Sequence, residues 1–178
     1  MPSIRYIAAG LAAVVIATPV LAQTCVQPAE KTAFDVRALQ SQLMVAALAC
    51  QQQDQYNVFV RQYQAELGNA YRGINAHYRR TAGARGQTTL DGYITHLANA
   101  HSQDGIRQGT NFCRNVLPLF TVALAAPKTT EALAAVAVQN NLANPHGRPE
   151  CTTATPAART EAPARSRTNV RRVSAKAN

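Results

Sequence analysis

Apolar residues return every three or four positions between Asp35 and Cys50, where Val36, Leu39, Leu43, Ala46 and Cys50 fall on one helical stripe. The stripe predicts a first amphipathic helix, capped by Thr32 or Asp35, that needs other helices to cover it. The polar junction Gln51-Gln52-Gln53-Asp54 is long enough to turn between antiparallel helices, and Asp54 is the expected N-cap of the second. Over 55–82, Tyr56, Val60, Tyr63, Leu67, Tyr71, Ile74 and Tyr78 lie within roughly a quarter turn of one another. Four tyrosines on one face either pack in the core with their hydroxyls at its rim or form a recognition surface for sugar or peptide. Residue preference favours packing. Gly68 and Gly73, costly inside a helix, predict a bend or a close helix crossing.

A glycine stop at Gly83-Ala84-Arg85-Gly86 precedes Thr88-Thr89-Leu90-Asp91, whose hydroxyls and acid mark a third helix start. Leu90, Ile94, Leu97 and His101 share one face, while Ile106, Gly109, Cys113, Val116 and Phe120 share another about 100° around the wheel. One continuous or kinked helix burying different faces along its length is slightly favoured over a break near Ser102. Pro118 disturbs it locally by removing a backbone donor. Lys128-Thr129-Thr130-Glu131 opens a shorter element reaching about Asn140, with Thr129 or Thr130 as its cap and Leu133 and Val136 on its apolar side. The chain therefore reads as all-α, a small bundle of about four helices over 23–144.

The two ends read differently. Arg5, the apolar run from Ile7 to Ala17 and the small residue Ala22 match a signal peptide over 1–22. The run is short for a membrane span and no later stretch approaches about 20 apolar residues, so no transmembrane span is expected after cleavage. Lipidation at Cys25 is disfavoured, because Ala22 and Thr24 stand where that processing wants Leu and a smaller residue. From 145 to 178 the chain is rich in Pro, Ala, Thr and Arg with almost no large apolar residue. It is expected to be a disordered tail, pinned at most through Cys151.

Export changes the reading of the cysteines. Cys25, Cys50, Cys113 and Cys151 all follow the cleavage point, and none pairs at CxxC spacing, which removes zinc-ribbon, thioredoxin-type and c-type haem sites. Two disulfides are expected. Cys50 with Cys113 and Cys25 with Cys151 is the favoured pairing, since the first two lie in helical patterns and the others in flanking irregular chain. Each long loop closed in this way stabilises by about 3 to 5 kcal/mol on the chain-entropy view.

The formal net charge is +9. Seven Lys or Arg and two Glu lie from Pro145 onward, against ten and seven in 23–144, so the basicity concentrates in the tail. Export argues against nucleic acid as its partner and for an anionic envelope surface or a protein. The expected contacts for an anionic partner are Arg79, Arg80 and Arg85 at the end of the second helix, with Arg165, Arg167, Arg171 and Arg172 in the tail. For the first three, favourable interaction with the helix macrodipole is the preferred explanation.

Chemistry-bearing patterns are sparse. His96 and His101 are about 140° apart on a helix and do not make an i, i+4 metal pair; His101 lies on the apolar stripe as a packed or hydrogen-bonded residue. His101 and Ser102 diverge on a helix, the acids are scattered, and no glycine-rich phosphate loop occurs. A helical cytochrome is excluded on the CxxCH route, and Met44 has no histidine on the last helix to face it. No catalytic residue, metal or cofactor is expected. The leading function is an exported, periplasmic or secreted, non-enzymatic helical protein that binds an envelope component or a protein partner. The alternative is a chaperone-like or stress protein that exposes apolar helix faces.

Overall fold

The computed structural model describes residues 24–151, all-α in architecture and closed by two disulfides. Residues 1–23, with the expected signal peptide, and residues 152–178, with most of the expected tail, lie outside the described residues. Among the described residues the helices are α1 Pro28–Cys50, α2 Gln53–Gln62, α3 Gln64–Ala82, α4 Gly86–Gln108, α5 Phe112–Val116, α6 Pro118–Ala125 and α7 Thr130–Gln139.

Helix α1 is the axis. It packs against α7, α3 and α4 along its length, and against α2 and α5 at its far end. Its expected stripe holds: Val36, Leu39, Leu43 and Ala46 are fully buried. The burial, however, spreads well beyond the stripe, taking in Phe34, Ala38 and Ala47 together with the polar residues Asp35, Ser41 and Gln42, while Arg37, Gln40 and Met44 are half-buried and Leu48 is exposed. A helix covered over most of its circumference is a core helix.

Its start also differs from the expected cap at Thr32 or Asp35. The helix begins at Pro28, where a proline at the first position forfeits no helical hydrogen bond. The Glu30 carboxylate accepts from the Gln27 backbone N–H at 2.8 Å, covering an amide that the helix leaves open. At its far end Gln51 is left-handed (φ 58°), and Gln52 N–H donates to the Ala47 carbonyl. The chain then turns directly into α2, whose first residue is Gln53, so Asp54 sits in the first turn rather than at the cap.

The expected second helix is two helices with a break at Tyr63 (φ −114°, ψ 26°). The Tyr63 hydroxyl is buried and donates toward the carbonyls of Ala123 and Ala126 at 2.8 and 2.7 Å, while Gln62 Nε2 donates to the Leu124 carbonyl. The break is thus anchored on the end of α6. Of the tyrosine face, Tyr63 and Tyr78 are core, Tyr56 is half-buried and Tyr71 is exposed. Packing accounts for most of that face.

Gly73 marks a close crossing: a Cβ there would lie 3.0 Å from the Cβ of Ala33 on α1. Gly83, at φ 56°, ends α3 where the sequence places its stop, and a single 3-10 turn leads to α4 at Gly86, two residues before the expected Thr88. Thr89 does not cap; its hydroxyl donates back to the Arg85 carbonyl.

Helix α4 runs uninterrupted through Ser102 and stops only at Gly109, whose φ of 55° ends it. The expected long helix is therefore broken after 108, and Ile106, placed on the apolar stripe by periodicity, is 70 % exposed. Pro118 costs little because it opens α6 instead of interrupting a helix. Thr129 caps α7 as expected, its Oγ1 accepting from Ala132 N–H at 3.1 Å.

The disulfides pair Cys50 with Cys113 and Cys25 with Cys151, as the sequence favours. Residues 145–151, which composition assigns to the tail, fold back onto the N-terminal arm. Val26 N–H donates to the Pro149 carbonyl at 2.9 Å and Cys151 N–H to the Val26 carbonyl at 2.8 Å, forming a short parallel bridge.

The two helical glycines of α3 respond oppositely to alanine. Gly73→Ala forces α1 and α3 apart, and overpacking outweighs the gain in helix propensity, so stability falls by about 1 kcal/mol. Gly68→Ala meets only the Arg72 guanidinium at 3.5 Å and raises stability by about 0.5–1 kcal/mol. Urea midpoints of the two variants against the parent check both signs.

Candidate functional site

The arginines at the end of α3 separate in their roles. Arg79 and Arg85 are exposed. Arg80 turns inward and grips Glu30, with Nη2 at 2.8 and 2.7 Å from the two carboxylate oxygens and Nε at 3.2 Å from Oε1. The same Nη2 donates to the Cys25 carbonyl. Arg80 thereby joins α3, the start of α1 and the disulfide arm. Arg165, Arg167, Arg171 and Arg172 lie outside the described residues.

Glu30 also accepts from a second side chain. His77, fully buried on α3, places Nδ1 2.9 Å from Glu30 Oε2, and since an ionised carboxylate only accepts, Nδ1 carries the proton. Burial pulls the Glu30 carboxyl upward, but hydrogen bonds from Arg80, the Gln27 amide and His77 outweigh it and hold the group below the usual carboxylate range. His77 Nε2 is sealed in the core without a hydrogen-bond partner among the described residues, and Phe34 packs edge-on against the ring.

A second polar chain runs beside the first. Tyr93 Oη donates to Asn144 Oδ1 at 3.0 Å, Asn144 Nδ2 donates to Asp35 Oδ1 at 2.9 Å, and Lys31 Nζ donates to Asp35 Oδ2 at 2.7 Å. Burial pushes the Tyr93 hydroxyl far above its ordinary range and that of Tyr78 up to about 12. Asn144 therefore forms part of the core's polar lining. His146 lies over Phe34 at 5.1 Å between ring centroids, and burial lowers its pKa.

His101 supplies the third arrangement. Its Nε2 is 3.0 Å from the Ala143 carbonyl, which can only accept, so Nε2 carries the proton; Nδ1 accepts from the Ser41 hydroxyl at 3.0 Å. Both ring nitrogens are used, as expected of a packed histidine. Burial lowers its pKa further than the Ala143 hydrogen bond and Asp104 raise it.

Next to His101 opens a cleft of about 330 Å³, bounded by Gln42 on α1, Asp104 and Gln108 on α4, Asn115 on α5 and Leu142 after α7. A larger apolar groove of about 530 Å³ lies between Val45 and Leu48 of α1 and Ile106 and Phe112, and Leu48 and Ile106 are exposed. Sequence reading missed both, because each joins residues more than 50 positions apart in the chain. Among the described residues no group of three His, Cys, Asp or Glu is placed to hold a metal ion.

Since the folded pKa of His101 lies below the ordinary 6.5, the unfolded chain takes up a proton that the folded one refuses. Stability should be flat above about pH 7.5 and fall as the pH is lowered through about 6.5 toward 5. His101→Gln should cost about 1–3 kcal/mol at neutral pH and reduce that slope, with His146 sustaining the remainder. Urea unfolding of parent and variant at several pH values reads both effects.

Family models, curated proteins and solved structures compared with this chain yielded no match, so its function has to be read from its own residues.

Proposed function

We propose that the protein is an exported, periplasmic or secreted, non-enzymatic helical module that binds an envelope component or a protein partner. The observation that carries this reading is the pair of disulfides, which join positions 126 and 63 residues apart and leave no free cysteine among the described residues. Bonds of this kind form and persist in oxidising compartments. The signal peptide belongs to the same proposal. No described helix is long and apolar enough to cross a membrane.

Binding is favoured over catalysis by where the titratable side chains are spent. His77 and His101 are committed to internal partners, and Glu30 and Asp35 each hold a cation. What faces solvent instead is the polar cleft beside His101 and the apolar groove edged by Leu48 and Ile106. That groove is also what favours the chaperone-like reading. Both ends of α1 are cross-linked, however, which works against helices that loosen to expose more apolar surface.

Crosslinking in intact cells followed by mass spectrometry tests the reading. A binding module returns the same defined partner in repeated captures and leaves unrelated aggregating clients unprotected in vitro; broad suppression of aggregation without a defined partner would sink it. The basic tail is tested by ending the chain after Cys151, which retains the disulfide and the Val26 bridge. Envelope retention of the truncated chain should fall at low salt, where screening is weakest. Unchanged retention removes the tail's electrostatic role.

A further inference from the structure

We propose that the cleft between α1, α4 and the segment after α7 binds a small, neutral, polyhydroxylated ligand, a mono- or disaccharide. The proposal rests on the binding reading above and names the ligand class of one site on the same body.

Gln42 marks the site. It sits in the middle of the central helix at 4 % exposure, yet its carboxamide makes no hydrogen bond to any described residue. The amide is also not among the polar atoms sealed from solvent, and it lines the cleft, so the cleft is what it faces. Its donor and acceptor are therefore open, on the cleft side alone, to whatever occupies the cleft.

The wall opposite is a relay of further polar groups. Asn115 Nδ2 donates to Gln108 Oε1 at 3.0 Å, Gln108 Nε2 donates to Asp104 Oδ2 at 2.8 Å, and Arg107 Nη2 donates to Asp104 Oδ1 at 3.0 Å. Asp104 and Arg107 cancel one another's charge, so an anion would have to compete with the carboxylate and a cation with the guanidinium. A neutral ligand faces neither contest.

Carboxamides present a donor and an acceptor side by side, which matches hydroxyls that do both. Val116, Leu119 and Leu142 add an apolar surface on which the C–H face of a sugar ring can lie. The volume, about 330 Å³, is at the small end of ligand pockets and suits one or two rings.

The test uses the mature protein with both disulfides intact and follows the side-chain amide signals of Gln42 and Asn115 by NMR. Glucose, N-acetylglucosamine, maltose and diacetylchitobiose are titrated, with glycylglycine as the zwitterionic control. At least one saccharide should give saturable shifts with a dissociation constant of about 1 mM or tighter. Gln42→Met, which keeps the volume and removes both hydrogen-bonding groups, should weaken it about tenfold or more, and Asn115→Ala about threefold. Asn115 is exposed, so its variant serves if Gln42→Met does not fold.

No saturable shift with any of the four saccharides, equal binding by both variants, or binding of the dipeptide alone would overturn the ligand class. Recovery of a protein partner from cells in that case leaves the binding module standing without this site. Saccharide binding with no partner captured does the reverse.

Discussion

A helix buried over most of its circumference has to find partners for the polar side chains it carries inward, and α1 is such a helix. Three polar commitments organise the molecule. Glu30 draws in His77 and Arg80 from α3, Asp35 draws in Asn144 from the segment after α7, and Ser41 draws in His101 from α4. Each pairing fixes a neighbour in rotation as well as in distance, since an ionised or hydroxyl partner left behind in the core would cost about 1–3 kcal/mol. Gln42, equally buried, pairs with none of these neighbours and lines the cleft.

The cross-links reinforce the same element. Cys50, the last residue of α1, is bound to Cys113 on α5, and Cys25, just ahead of Pro28, is bound to Cys151. The central helix is tied at both ends to chain that comes much later. Arg80 adds a noncovalent tie at the Cys25 end by reaching both Glu30 and the Cys25 carbonyl. Tyr63 does similar work for the outer layer, where one buried hydroxyl spans the α2–α3 break to the end of α6.

Much of this was legible in the sequence. The apolar period located α1, the tyrosine face, α7 and the buried side of α4, and the positions of the cysteines gave their pairing, because two lay in helical patterns and two outside them. Periodicity fell short where burial is wider than one stripe. It marked one stripe of α1, whereas small residues such as Ala38 and Ala47 are buried as well. It also carried Ile106 into the core, because a wheel cannot register that Gly109 ends the helix three residues later. The Glu30, His77 and Arg80 cluster spans 50 residues and left no local signature, so Arg80 read as one of three similar basic residues. The cleft was invisible for the same reason: its walls come from α1, α4, α5 and the chain beyond α7.

The joining of Cys25 to Cys151 brings the first and last turns of the described body together, with Cα atoms 4.9 Å apart. Chain joined directly to the described body before Cys25 and after Cys151 consequently departs from one corner, so a tether or surface anchor placed at one of those points orients the body as one placed at the other would. The same closeness makes circular permutation of residues 24–151 feasible, with a short peptide joining those two ends and new ones opened in the Gln51–Gln52 turn.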